Sequence, residues 1–251
     1  MHAGSGSSIA TLLDEVAELI RDSLGDLDDW GPVPSGRGGQ YRSDVVADEV
    51  AVTRLVSAGA GVLSEESGLH HAEREVVVVV DPLDGSTNAA HGVPWYATSL
   101  CAVDADGPLA AVVVDLVHDR WYRAQRGGGA TRNGDPVSPG RVVRLGDAFI
   151  GLSDLPPRHL GWRQFRALGA SALDLCAVAD GTLDGFIDCS VDAHGPWDYL
   201  GAMLVCQEAG AAVVDASGRE LVVLDHDARR TPVAACTAAL LGQVLEARAA
   251  F

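Results

Sequence analysis

Residues 76–80 are five consecutive valines, and they run without a break into Asp81-Pro82-Leu83-Asp84-Gly85-Ser86-Thr87-Asn88. A continuous β-branched run of this kind reads as a central strand buried on both faces. Pro82 fixes a turn at its end, and Gly85-Ser86-Thr87 reads as the entry to a helix. Acidic residues at the carboxyl end of a buried strand are well placed for function. Two carboxylates on one turn can share or divide hard cations such as Mg²⁺, which take oxygen ligands and keep waters. The N–H groups of Gly85 and Ser86 would face the same place and can bind a phosphate. Two blander readings compete. An Asp-rich turn is often only a capped, solvated turn. A calcium loop would need oxygen ligands at its third and fifth positions and Gly at the sixth, where this segment has Leu83, Gly85 and Ser86.

The surrounding pattern is that of a mixed α/β chain. Ile9, Leu12, Leu13, Val16, Leu19, Ile20 and Leu24 recur at helical spacing and predict an amphipathic helix ending near Gly25. Residues 26–40 are rich in acids, Gly and Pro and read as a loop, followed by a helix over about 45–56. Strands are expected near Leu63 and over 76–80, 97–103, 109–116 and 121–125, with turns at 104–108, 117–120, 127–129 and Asn133-Gly134. A second series follows: strand 148–152, helix 171–179, strand 185–188, helix 198–208 stopped by Gly210, strands 211–214 and 233–236, and a C-terminal helix. The whole chain, 1–251, reads as one domain, with a seam near 137–144 between subdomains 1–142 and 143–251.

Composition narrows the chemistry. The net charge is −17, which argues against a nucleic-acid partner, since that needs a basic surface to displace counterions. All 18 strong bases are Arg; the chain has no lysine. That excludes a Walker A loop and a Schiff-base lysine, and leaves metal ions as the obvious way to neutralise an anionic substrate. No apolar stretch approaches the roughly 20 residues of a membrane helix, and no signal peptide is read at the N-terminus. The five cysteines are odd in number and scattered without a C-x-x-C pair, which points to reduced, buried thiols and a cytoplasmic setting. No H-E-x-x-H or G-x-S-x-G occurs, so the histidines (His70, His71, His91, His194) and serines carry no sequence signal for a zinc protease or a serine hydrolase.

Other acids join the octapeptide. Glu65-Glu66 follows Val62-Leu63, Asp198 sits in Pro196-Trp197-Asp198 ahead of an apolar helix, and Asp44 lies in Arg42-Ser43-Asp44. Each has a bland reading: a solvated turn for Glu66, and a helix cap for Asp198 and for Asp44. Taken together, Glu65-Glu66, the octapeptide and Pro196-Trp197-Asp198 resemble the inositol monophosphatase family of lithium-sensitive, metal-dependent phosphatases. The likeness runs from about Asp44 to Leu224 and takes in Gly127-Gly128-Gly129-Ala130, Asn133-Gly134 and Gly169-Ala170-Ser171-Ala172.

The resemblance implies an α+β fold of layered α-β-α-β-α type and a Mg²⁺-dependent phosphatase that Li⁺ inhibits. It implies two or three Mg²⁺ ions. Glu65, Asp81 and the carbonyl of Leu83 would hold the first, and Asp81, Asp84 and Asp198 the second. Asp44 would pair with the hydroxyl of Ser86 and, with Glu65, orient the attacking water; Gly85 and Ser86 amides would bind the phosphate. Asp84, Ser171, Asp188 and Asp198 would face the substrate. A homodimer, a small phosphorylated substrate and no membrane partner are also implied. Inositol monophosphate is the first substrate expected. Fructose-1,6-bisphosphate, histidinol phosphate and a 3′-phosphonucleoside are alternatives on the same core, and a non-catalytic metal- and anion-binding member is an alternative of another kind. The sequence departs from the family where a lysine is common shortly before the Asp44 position: only Arg37 and Arg42 stand nearby.

Overall fold

The valine run sets the architecture. The structure, a computed structural model, describes residues 3–27, 30–31 and 41–249. Most of the loop read at 26–40, Arg37 included, lies outside the described residues. In chain order the described elements are α1 (Ala3–Gly25), α2 (Arg42–Ser57), β1 (Gly61–Ser64), β2 (Gly68–His70), β3 (Val77–Asp84), α3 (Ser86–His91), β4 (Ala97–Asp104), β5 (Gly107–Asp115), β6 (Arg120–Gln125), β7 (Gly129–Arg132) and β8 (Asp135–Pro136). There follow β9 (Phe149–Ser153), β10 (Gln164–Arg166), α4 (Ser171–Ala179), β11 (Gly185–Asp188), α5 (Leu200–Ala209), β12 (Ala212–Asp215), β13 (Pro232–Ala235) and α6 (Ala238–Arg248).

The strands form an eight-stranded sheet, ordered β2-β1-β3-β4-β5-β6-β7-β8, and a five-stranded sheet, ordered β10-β9-β11-β13-β12. Both are mixed: β1 runs parallel to β3, and β9 parallel to both β10 and β11, while the remaining pairs are antiparallel. Every residue of β3 is buried, as its unbroken valines require. Helices α1 and α2 cover one face of the large sheet, where Leu13, Val16, Ile20 and Leu55 meet Val78, Val80 and Val112. Helices α4 and α5 fill the space between the sheets: α5 packs on β4–β7 and on β12, and α4 on α5 and β11. Residues 171–179 of α4 are all buried, as a helix covered on two sides should be. Helix α6 closes the far face of the small sheet with Leu240 and Val244. The layers are therefore α-β-α-β-α, as expected.

Three features differ from the sequence reading. First, β3 does not end in a turn at Pro82. It continues to Asp84 through a register shift: Asp81 pairs with Ser99 and Asp84 with Ala97. One extra residue on β3 makes this a bulge, and Pro82, which has no N–H to give a ladder, sits inside it. Second, β2, β7, β8 and β10 were not foreseen as strands. All are four residues or fewer, too short for alternation to register. The Asn133-Gly134 turn is confirmed: both residues have positive φ, 52° and 86°, and join β7 to β8 as a two-residue hairpin. Third, the second helix begins at Arg42, three residues earlier than its apolar pattern. All five cysteines are buried and unpaired, and among the described residues no helix is long and apolar enough to cross a membrane.

Phe186 of β11 is fully buried in the central core between the sheets. Phe186→Ala should lower the unfolding free energy by about 3–5 kcal/mol, the usual cost of an emptied aromatic site, as read from urea denaturation.

Candidate metal and phosphate site

Glu65 and Asp81 are neighbours because β1 and β3 are parallel. Ser64 pairs with Val80 in that register, and the Glu65 N–H donates to the Val80 carbonyl at 3.1 Å. The next residue of each strand is therefore an acid at the same carboxyl edge. Residues three apart on a regular strand face opposite sides; the bulge between Asp81 and Asp84 cancels that alternation and turns Asp84 toward the same space. Asp81 Oδ1 accepts the Leu83 N–H at 3.0 Å, and the Thr98 hydroxyl donates to the Pro82 carbonyl at 2.9 Å, so the bulge is held from inside.

Asp198 arrives from the other half of the chain. It closes a 3₁₀ turn, Pro196–Asp198, that packs on β3 and β4. Its carboxylate accepts the Gly195 N–H at 2.7 Å instead of capping α5. A Cβ on Gly195 would lie 2.3 Å from the Trp197 ring, so only glycine lets this turn close. Glu65, Asp81 and Asp198 each bring one oxygen into a group whose members all lie within 4.8 Å of one another. Asp84 joins α4 to the cluster: its two oxygens accept the amides of Ser171, at 3.2 Å, and Ala172, at 2.7 Å. A carboxylate suits the first turn of a helix.

Gly85 stands beside them with φ at 83°. A Cβ there would come within 3.1 Å of both the Ala170 Cβ and the Trp95 carbonyl, so backbone freedom and space both demand glycine. Ser86 opens α3. Asn88, the last residue of the octapeptide, donates through Nδ2 to the carbonyls of Trp95 and Leu168, each at 2.8 Å, and so ties this corner together. Asp44 is buried in the first turn of α2. Its Oδ2 accepts the Tyr41 N–H at 3.0 Å. Its Oδ1 and the neighbouring Ser43 hydroxyl have no partner among the described residues. The expected Asp44–Ser86 hydrogen bond is therefore not made; Asp44 spends one oxygen on the helix cap and leaves the other uncommitted.

Burial raises each of these carboxyls. Burial pushes Asp44 from the ordinary 3.8 up to about 7. Burial and the charge of Asp198 push Asp84 up to about 7. Glu65 and Asp81 are held well above the carboxylate range by burial first and then by the neighbouring carboxylates. Asp198 is raised by burial, although His194 and Arg229 pull it back. A cluster of oxygen donors that cannot all ionise unaided fits a hard divalent cation.

Asp188, expected to face the substrate, is fully buried, and both its oxygens are taken, one by Ser190 and the other by His194. Ser171 is at the cluster through its amide on Asp84, and its hydroxyl meets His194. The sequence reading missed His194 as a member of this group, and also His226, whose Nε2 lies 3.0 Å from the Glu65 carbonyl while its ring packs on Trp197. Neither has a spacing signature. The only pointer was that His194 shortly precedes Pro196-Trp197-Asp198.

The layered α-β-α-β-α body holds an acidic cluster at its strand ends, and its relatives make it a phosphoric monoester hydrolase. Residues 43–249 match the inositol monophosphatase family, and the chain belongs to it. A fructose-1,6-bisphosphatase/inositol-1-monophosphatase from Thermococcus kodakarensis is 34% identical over 213 residues, covering 81% of this chain and 80% of that protein. An inositol-1-monophosphatase from Mesorhizobium japonicum is 34% identical over 198 residues, covering 70% and 72%. Among solved structures, a Pyrococcus horikoshii protein described as similar to inositol-1 monophosphatase shares the fold, with a TM-score of 0.86 at 24% identity over 97% of this chain and 99% of that one.

The raised carboxylates give a signed prediction for the metal-free protein. Asp44 and Asp84 bind protons more tightly folded than unfolded, so their stabilising effect is full below about pH 4 and is lost as pH rises through about 7. Thermal unfolding in chelator should show the midpoint falling across that window. A divalent cation at a hundredfold excess over its dissociation constant should restore about 2.7 kcal/mol.

Proposed function

We propose that this protein hydrolyses a small phosphate monoester, inositol monophosphate first, with Mg²⁺ held by its acidic cluster. The observation that carries the reading is the meeting of Glu65, Asp81 and Asp198 oxygens within 4.8 Å at the carboxyl edge of two parallel strands. In this reading Glu65, Asp81 and the Leu83 carbonyl hold one ion, and Asp81, Asp84 and Asp198 a second. When bound, Mg²⁺ supplies Lewis-acid chemistry: it offsets carboxylate and phosphate charge and acidifies a water. The remaining work falls to the chain. Glu65 and the uncommitted Oδ1 of Asp44 orient the attacking water and take up its proton. The amides of Gly85 and Ser86, at the entry to α3, bind the phosphate. Ser171 faces the alcohol part of the substrate.

The Thermococcus relative's name joins inositol-1-monophosphatase with fructose-1,6-bisphosphatase, and this supports fructose-1,6-bisphosphate as the second substrate to test. Phosphate release should be measured over a panel of both esters, histidinol phosphate and a 3′-phosphonucleoside, with and without Mg²⁺. Release is expected only with the metal. Asp81→Asn should keep the fold by circular dichroism and lose more than the roughly 100-fold that an outer partner of a metal site is worth. Near-normal turnover in that variant would remove Asp81 from the centre, and no release from any ester would leave a metal- and anion-binding protein.

A further inference from the structure

Three polar side chains outside the acidic cluster form one hydrogen-bonded line that ends at its edge. Asp188 closes β11 and is fully buried. Its Oδ1 accepts the Ser190 amide at 2.9 Å, and its Oδ2 lies 2.8 Å from His194 Nδ1. Arg248 of α6 donates to the backbone carbonyls of Asp188, at 2.8 Å, and Ser190, at 2.6 Å, which fixes this corner from behind. His194 is buried, and its backbone bridges to Arg230. Its other ring nitrogen, Nε2, lies 2.7 Å from the Ser171 hydroxyl and 3.4 Å from that of Ser153. Ser171 in turn gives its amide to Asp84. A carboxylate at Nδ1 holds a proton on that nitrogen, so Nε2 is the one free to exchange a proton with Ser171.

We propose that Asp188, His194 and Ser171 form a proton relay to the leaving alkoxide, with Ser171 the catalytic hydroxyl and His194 and Asp188 the positioning residues behind it. The proposal rests on the phosphatase reading and assigns the alcohol side of that reaction. As the bond from phosphorus to the alcohol oxygen breaks, its electron pair stays on that oxygen. The Ser171 hydroxyl proton passes to it, and the His194 Nε2 proton passes to the Ser171 oxygen. The alcohol leaves neutral, and the neutral imidazole regains a proton from solvent. On the other side, the water oxygen bonds to phosphorus and releases one proton through the carboxylates to solvent, so protons balance.

The surroundings suit an imidazolium. Burial opposes its charge, but the hydrogen bond with Asp188 and the charges of Asp198, Asp188 and Asp84 outweigh this and raise it above its usual value. The groups facing it are Asp188 from β11, Ser153 from β9, Ser171 and Asp174 from α4, Asp84 from the bulge and Asp198 from the 3₁₀ turn. Of the acids, Asp188 is hydrogen-bonded to the ring, so its effect persists when cations neutralise the others.

An alkyl alcohol needs a proton to leave, whereas a nitrophenolate does not. The test compares wild type, His194→Gln and Ser171→Ala on glycerol 2-phosphate and 4-nitrophenyl phosphate at saturating Mg²⁺. Ser171→Ala keeps the amide that Asp84 uses and removes only the hydroxyl. For both variants kcat on the alkyl ester should fall about 100-fold, the typical worth of a general acid, and by at least about tenfold more than on the aryl ester. Equal losses on the two esters would overturn the relay. A wild type inactive on both would overturn the phosphatase reading and the relay with it. Independently of turnover, ¹⁵N NMR of the metal-free protein should show His194 titrating at lower pH in Asp188→Asn than in wild type; an unchanged titration would contradict Asp188 as its anchor.

Discussion

Like charges crowded together must find a counter-charge or give up their ionisation. Glu65, Asp81, Asp84 and Asp198 are under that constraint, and much of the molecule makes sense as its support. Their oxygens are brought close by elements from both halves of the chain, and each carboxyl is raised above its ordinary value by burial. In a chain without lysine, cations from solution are the natural compensation. The site is thus a place where local electrostatic strain is tolerated because packing elsewhere over-determines the geometry.

That packing can be followed residue by residue. Parallel pairing of β1 with β3 sets Glu65 beside Asp81. The bulge around Pro82 brings Asp84 to the same side. Gly195 lets the 3₁₀ turn fold against Trp197 and deliver Asp198. The amides of Ser171 and Ala172 lock Asp84 to α4, a helix whose residues are all buried between the two sheets. Displacing α4 therefore displaces Asp84, so the middle layer of the sandwich and the chemistry of its edge are coupled through two hydrogen bonds.

Much of this was legible in the sequence. The valine run, the two helices of the middle layer and the acids that follow strands all announce themselves, because apolar periodicity and turn residues are local signals. Where the structure departs, the cause is non-local. Pro82 reads as a turn, yet pairing with β4 carries the strand past it as a bulge. Strands β2, β7, β8 and β10 are defined by their partners, with too few residues to show a period. Asp188 and Ser171 were both expected to face the substrate. The fold instead inserts His194 between them, a contact across 23 residues from Ser171 that no spacing could reveal. Asp44 illustrates the reverse case: its capping position is local and legible, while the empty face of its second oxygen is a tertiary fact.

The central claim is that cations supply the charge this cluster lacks, and it is tested most directly by calorimetric titration of the protein with Mg²⁺ at pH 7 in two buffers of different ionisation enthalpy. Asp44 and Asp84 are held at about 7 and so are part-protonated there. Binding should therefore expel protons, and the measured heat should differ between the buffers by the proton count times the difference in their ionisation enthalpies. Heats that are the same in both buffers, or no binding, would contradict the account.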